Sequence, residues 1–369
     1  MTLRTKFVFI DTQSFVKANL DFESKILKAF SKACEEEELI HLMSSITLRE
    51  VKEKIHTAID DGLGSINQFR RKAKILETST DEVIKGFFAR FEKDTVHAGA
   101  QKALDDFLAN SKTTILDISK VSTEEVFELY FNRRGPFGEG KKKTEFPDAF
   151  SLLAVRNHIE KEEVYVVSED GDLIRFCEEN KGFIQVDALE KVLDVLNSHE
   201  SEKAEFIKDY FIEHDAELKE QIKQIINDAD FYNSSTWEDA EVVAHEVLEV
   251  GPIDPSIVGI DDEVCEVSFD VTVKNRVEVS GPDFANGSYD KESGHTYTFD
   301  DVTREEVLKM KFSVEMSLYF EVIDGKFEMS DTDISIKDLH RGVEVAVEEP
   351  PIGMAADLNF DSRANPVIG

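Results

Sequence analysis

Hydrophobic positions along the chain follow two different periods. Over the first 197 residues, short apolar runs alternate with stretches in which apolar residues recur every three or four positions. A β-rich run over 6–10 stops at Asp11-Thr12. Phe22, Ile26, Leu27 and Phe30 predict a helix over 22–36. A short apolar piece, 40–43, follows. Thr47 with Glu50 three residues on is a capping box, which predicts a helix from about Leu48 through Ile59. Residues 65–110 are helix-like with weak breaks at Gly86 and Gly99. A strand is predicted over 113–118, and Ser122 with Glu125 opens a helix through Phe131. Residues 132–144 read as a loop, and Pro147 suits the start of a helix over 147–160. The run Val164-Tyr-Val-Val167 is a buried-type strand, followed by a helix at 170–180, a strand at 183–186 and a helix at 188–197. Strands alternating with helices imply a parallel sheet covered on both faces.

From residue 199 to 230 the pattern is helical and highly charged. Beyond about Glu241 it changes to a period of two, over 264–279, 297–299, 311–323 and 327–329. Turn signals separate these runs: Gly281-Pro282, Asn286-Gly287 and Asp324-Gly325, the last a hairpin signal. The fold class is therefore an α/β three-layer domain, a long helix, and an antiparallel β-rich α+β domain. The boundaries are 1–197, a helical linker at 198–236, the β-rich domain at 237–348, and a flexible tail at 349–369 carrying Pro350-Pro351.

Composition adds one unusual feature. The 369 residues carry a formal charge of −34. Residues 1–200 hold 29 basic and 37 acidic side chains, and residues 201–369 hold 14 and 40. The acidity thus belongs mainly to the second half, a sign of separate modules. The whole chain does not look like a polyanion binder, so any nucleic-acid site must be local. No apolar stretch is long enough to span a membrane. The apolar run at 7–10 is too short for a signal-peptide core. Three widely spaced cysteines, Cys34, Cys177 and Cys265, argue against a disulfide framework and a zinc knuckle, which makes the cytoplasm the expected compartment.

The candidate chemistry lies in where acids fall in the first half. Asp11 directly follows an apolar strand, and Asp170 and Asp172 follow another. In an open parallel sheet the carboxyl ends of the strands line the ligand crevice. Asp148 begins a helix, and Glu50 lies in the first turn of another. Each has an ordinary explanation. Glu50 can complete a capping box, Asp148 can complement a helix dipole, and Asp170 and Asp172 can shape a turn around Gly171. Asp11 has none so simple. Gathered in one place, four or five carboxylates repel each other unless a cation sits among them. Oxygen-preferring Mg²⁺ or Mn²⁺ fits, since no cysteine–histidine cluster is present. Such ions support in-line displacement at a phosphodiester.

Phe9-Ile-Asp11-Thr12, Ile46-Thr-Leu-Arg-Glu50-Val, Glu145-Phe-Pro-Asp148-Ala-Phe and Val167-Ser168-Glu-Asp170-Gly-Asp172 resemble, in order, the four acidic signatures of the PIN domain family. The resemblance covers roughly residues 5–197. It is nearest to the bacterial PIN-like subgroup with a Lys-Lys-Lys-x-Glu-Phe-Pro-Asp segment before the third acid. It implies a metal-dependent endoribonuclease whose acidic site is Asp11, Glu50, Asp148, Asp170 and Asp172. Asp11, Asp148 and Asp170 would hold the metal, with Thr12 and Ser168 as orienting hydroxyls. Two departures stand out: Glu169 where many members carry Asn, and a long helical insertion between residues 60 and 112.

The loop from Arg133-Arg134 to Lys141-Lys142-Lys143 is the densest basic patch, and it suits an RNA backbone beside the acids. Phe137 and Phe146 are candidates for base stacking and equally for loop anchors. Arg70-Arg71-Lys72-Lys74 reads as a helix surface, and His41, His56, His97 and His158 show no ligand spacing. A sheet domain at net −26 repels RNA. It is expected to bind a regulatory protein partner or to hold the basic loop by imitating phosphate, unless its acidity serves solubility alone. The resemblance also implies homodimers and a toxin or phage-defence role. Two alternatives stay open: a DNA nuclease acting on single strands or flaps, and a non-catalytic interaction protein on the same scaffold.

Overall fold

A computed structural model describes residues 3–138, 145–197, 201–261, 263–292, 294–323 and 326–350. The chain divides into two compact units, residues 1–201 with 256–260, and residues 202–255 with 261–369.

The first unit strings together β1 (Phe7–Ile10), α1 (Thr12–Lys17), α2 (Lys25–Glu35), β2 (Ile40–Ser44), α3 (Ser45–Lys72), α4 (Glu82–Phe88), α5 (Lys93–Asn110), β3 (Thr114–Leu116), α6 (Thr123–Phe131), α7 (Phe146–Ile159), β4 (Val164–Val167), α8 (Gly171–Glu179), β5 (Phe183–Val186) and α9 (Leu189–Asn197). The five strands form one parallel sheet in the order β3-β2-β1-β4-β5. Because strand side chains alternate faces, the sheet has two cores. Val8, Ile10, Met43, Tyr165 and Val167 pack with α2, α5 and α9 through Phe30, Leu104 and Val192. Phe9, Leu42, Val164 and Val166 pack with α6, α7 and α8 through Leu129, Leu152 and Phe176. This is a three-layer α/β domain whose central strands β1 and β4 are buried on both faces.

A further strand, β8 (Ser256–Ile260), lies in this unit although the sequence pattern groups it with the β-rich half. The Asn197 amide on α9 donates to the carbonyls of Ile257 at 3.1 Å and Val258 at 3.0 Å, and Asp194 accepts from the Ile257 N–H at 3.1 Å.

His41 on β2 is fully buried among Phe15, Phe30 and Phe107, with ring centroids 5.2–6.5 Å away. Its Nδ1 bonds the Thr113 hydroxyl at 2.8 Å. Burial drives its pKa down to about 3, so the ring is neutral in the folded state. A depressed folded pKa gives stability that is complete above about pH 6.5 and is lost as pH falls toward 3. The difference in unfolding free energy between wild type and His41→Phe should therefore change with pH in that window, by up to about 1.4 kcal/mol per pH unit. Equal urea midpoints shifts at pH 4.5 and pH 7.5 would contradict this.

The second unit begins with α10 (Ser201–Glu213) and α11 (Asp215–Asn227), two helices where the charge pattern predicts one long helix, with His214 between them. Its strands are β6 (Phe231–Asn233), β7 (Glu241–Val250), β9 (Val264–Pro282), β10 (Ser288–Tyr289), β11 (Thr296–Tyr297), β12 (Asp301–Ile323), β13 (Lys326–Ile336) and β14 (Val343–Val345). The main sheet is antiparallel, with order β13-β12-β9-β7. β9 and β12 pair from Val264↔Tyr319 to Pro282↔Asp301. Alternate residues of β9, from Cys265 through Val279, are buried, which is the period-two signal in the sequence. Phe206 and Phe211 of α10 contact Phe320, Phe327 and Phe269 of this sheet. Ile323 pairs with Lys326, while the hairpin residues Asp324-Gly325 lie outside the described residues, as does the tail beyond residue 350.

Candidate active site

The four main acids reach one region because the strands that carry or precede them are neighbours. The Asp11 N–H donates to the Val167 carbonyl at 3.1 Å, which joins the end of β1 to the end of β4. Asp11 occupies the N-cap position of α1 yet makes no side-chain cap bond. Its carboxylate instead accepts from the Ser168 hydroxyl at 3.1 Å. Ser168, buried at the end of β4, also accepts from the Asp170 N–H at 3.0 Å. One hydroxyl thus fixes two acid-bearing segments.

Glu50 arrives on α3. The N-cap of that helix is Ser44, whose hydroxyl accepts from the Thr47 N–H at 2.9 Å. The expected start near Leu48 is therefore corrected: Thr47 is inside the helix and Glu50 lies in the second turn, past any capping box. Its carboxylate accepts from the buried Thr12 hydroxyl at 2.7 Å. Ser44 also bonds Ser151 at 2.7 Å, which ties β2 to α7 one turn below Asp148.

Asp148 sits in the first turn of α7, where a negative charge is favoured by the helix dipole. Its pKa is nevertheless pushed up to about 8. Burial is the main cause, followed by a hydrogen bond with Glu145 and the negative charges of Asp11 and Glu50. Asp11 is raised too, by burial and then by Asp170 and Glu50, against the lowering effect of its Ser168 and backbone bonds. Glu50 and Asp170 act on Asp11, and Asp11 and Glu50 act on Asp148, so the four carboxyls share one region. Asp170 is the exposed N-cap of α8, accepting from the Asp172 N–H at 2.7 Å. It serves as cap and neighbour to Asp11 at once. Asp172 follows in the first turn of that helix, and Glu169 is ion-paired with Lys17.

Glu145 is a site residue that sequence reasoning missed. It stands just before Phe146-Pro147, but only the fold brings its carboxyl to Asp148. The basic loop is less prominent than its composition suggests. Arg134 is committed to Glu179 at 3.4 Å, Arg133 is exposed, and Lys141, Lys142 and Lys143 lie outside the described residues. Gly135 passes so close to Phe176 that a Cβ would lie 2.6 Å from its backbone nitrogen. Phe137 is 1% exposed and wedged between Tyr130 and Phe146, so it anchors the loop and cannot stack on a base. The exposed rings beside Phe146 are Phe127 and Phe131, in contact with each other and, through Phe127, with Phe146. Neither stood out in the sequence, because their spacing is that of an ordinary helix face.

Among the described residues, no three acidic, histidine or cysteine side chains form a closed ligand set. The donors still fit a divalent ion in kind. All are oxygens, and Asp148 is raised by burial and by the negative charges of Asp11 and Glu50. A hard cation would offset those charges.

A parallel sheet that gathers carboxylates at the ends of its strands defines an acid-site α/β domain. Residues 8–173 match the PIN domain family, and the first unit carries a PIN domain. No curated protein and no solved structure matches the chain. A PIN domain marks a nuclease, typically one that depends on a divalent metal, acting on nucleic acid. No described helix is long and apolar enough to cross a membrane.

Proposed function

We propose that the protein is a Mg²⁺- or Mn²⁺-dependent endoribonuclease. The observation that supports this most directly is the gathering of Asp11, Glu50, Asp148 and Asp170, in which burial and then the neighbouring acids raise Asp11 and push Asp148 up to about 8. Asp11, Asp148 and Asp170 would hold the ion, with Glu50 completing the shell and Asp172 as a further acid. When bound, the ion activates water and stabilises charge on the leaving oxygen. The chain's own groups do the rest. Ser168 orients Asp11, and Thr12 orients Glu50. Asp148 gives up its proton on loading. Arg133 and Lys141–Lys143 would position the phosphate backbone.

RNA is the favoured substrate, and single-stranded or flap DNA the alternative. Incubating RNA and DNA in parallel with Mn²⁺, with wild type and Asp11→Asn, tests both. RNA cleavage lost in the variant supports the proposal. DNA cleavage alone would replace the substrate, and no metal-dependent cleavage would leave a non-catalytic scaffold. We assign the acidic second unit to regulation or partner binding because its charge repels nucleic acid; a toxin or defence setting rests on the family resemblance alone. Thr12→Val should weaken Mn²⁺ binding by about tenfold or more with little change in melting temperature, since it frees the Glu50 carboxylate without altering packing volume. Unchanged affinity in a Mn²⁺ titration would remove Thr12 from the site.

A further inference from the structure

Beyond Ile59, α3 leaves the core. Its buried residues are Thr47, Val51 and Ile55, yet it continues to Lys72. A 3₁₀ turn (Lys74–Thr78) and α4 fold back onto its end. Arg70 secures this return. Its guanidinium donates to the Phe87 and Ala89 carbonyls and stands over the Phe91 ring, 5.0 Å from the centroid. Phe69 packs against Phe87 and Phe88 at 5.7 and 5.8 Å. The rings are held in place but not covered: Phe69, Phe87 and Phe91 are 37%, 44% and 41% exposed.

Beside them Arg71, Lys72 and Lys74 are exposed and make no ion pair with a described residue. Residues 66–93 hold seven basic and four acidic side chains in a chain of net charge −34. Complementing the end of the α3 dipole accounts for Arg71 and Lys72. It does not account for three fixed, exposed phenyl rings.

We propose that this tip is a second binding site for single-stranded nucleic acid, in which bases stack on Phe69, Phe87 and Phe91 and phosphates meet Arg71, Lys72 and Lys74. Fixed aromatic rings beside unpaired cations are the elements of sequence-tolerant strand binding. A second copy docked two-fold on the same patch would set positive charge against positive charge. The inference rests on the nuclease reading for its biological sense and adds where the strand is held. Phe69 is 19 residues beyond Glu50 on one helix, about 29 Å along the axis at about 1.5 Å per residue. Only strands long enough to span that distance would engage both places.

The test is fluorescence anisotropy on the full-length protein in EDTA, with a labelled tetranucleotide and a labelled single strand several times longer. Arg71→Gln/Lys72→Gln/Lys74→Gln should weaken binding of the long strand by about tenfold or more and lower the slope of log affinity against log salt by about 2. Binding of the tetranucleotide should not change. Phe87→Ala should weaken long-strand binding at an unchanged salt slope. Unaltered long-strand affinity in the triple variant would overturn the site, as would an equal loss for the tetranucleotide. So would wild type failing to bind the long strand, or a shift in sedimentation showing that the triple variant has lost a self-association. The two readings fail separately. Long-strand binding without Mn²⁺-dependent cleavage removes the nuclease and keeps the tip, while cleavage with an unchanged KM for long strands in the triple variant removes the tip and keeps the nuclease.

Discussion

Asp11→Asn is expected to lower metal-dependent cleavage by at least about two orders of magnitude while the domain stays folded. Asparagine keeps the shape of the side chain and an oxygen for the Ser168 hydroxyl. The backbone bond from residue 11 to Val167 is unaffected by the change. What disappears is a negative charge that touches every part of the cluster. Asp11 carries one of the charges that raise Asp148, and it is itself raised by Asp170 and Glu50. Removing it relieves repulsion, so the metal-free variant should melt no lower than wild type. Cleavage rates with Mn²⁺ and thermal melts with and without it give the two readouts. A fully active variant would take Asp11 out of the chemistry. An inactive variant that melts well below wild type would make Asp11 a structural residue.

The same contrast separates what the sequence could show from what it could not. Alternating elements were legible because β1 and β4 are short and apolar and stop at acids, which is how strands buried on both faces end in an open sheet. The order of the strands was not legible, because right-handed crossovers fix the hand of each connection and not which strands become neighbours. The start of α3 was not legible. Ser44 and Thr47 both suit an N-cap, and only the end of β2 decides for Ser44. Its length was hidden too, because Asp60, Asp61, Gly62, Gly64 and Ser65 carry no apolar period and the helix there faces solvent. Propensity is poor there; the contacts of Asp60 with Lys93 and His97 on α5 and the fold-back of α4 hold it, not burial. Phe137 illustrates a different limit. A phenylalanine in a glycine-rich basic loop reads equally as a stacking ring or as an anchor, and the choice depends on Tyr130 and Phe146 closing around it. Ser256–Ile260 marks a third limit, since a strand's return to an earlier unit leaves no local trace.

The largest pH effect should come from Asp148. Its folded pKa, about 8, is above the ordinary carboxyl value of 3.8. A raised folded pKa gives stability that is complete below the unfolded value and is lost as pH rises through the folded one. Metal-free protein should therefore lose stability between about pH 4 and about pH 8, at up to about 1.4 kcal/mol per pH unit. His41 acts in the opposite sense below about pH 6.5, so the two contributions offset each other in the acid range. The interval from about 6.5 to 8 isolates Asp148. In that interval Asp148→Asn, which cannot ionise, should flatten the decline and leave the metal-free protein more stable than wild type at pH 8. Divalent ions should reverse the dependence. A carboxyl that binds the ion must first release its proton, so Mn²⁺ affinity should rise with pH up to about 8 and binding near pH 7 should release close to one proton. Calorimetric titration in buffers of different ionisation enthalpy measures that release directly. A proton count of zero, together with an Asp148→Asn variant whose stability follows wild type across the interval, would show that Asp148 is ionised without the metal and that the acids are not held in electrostatic conflict.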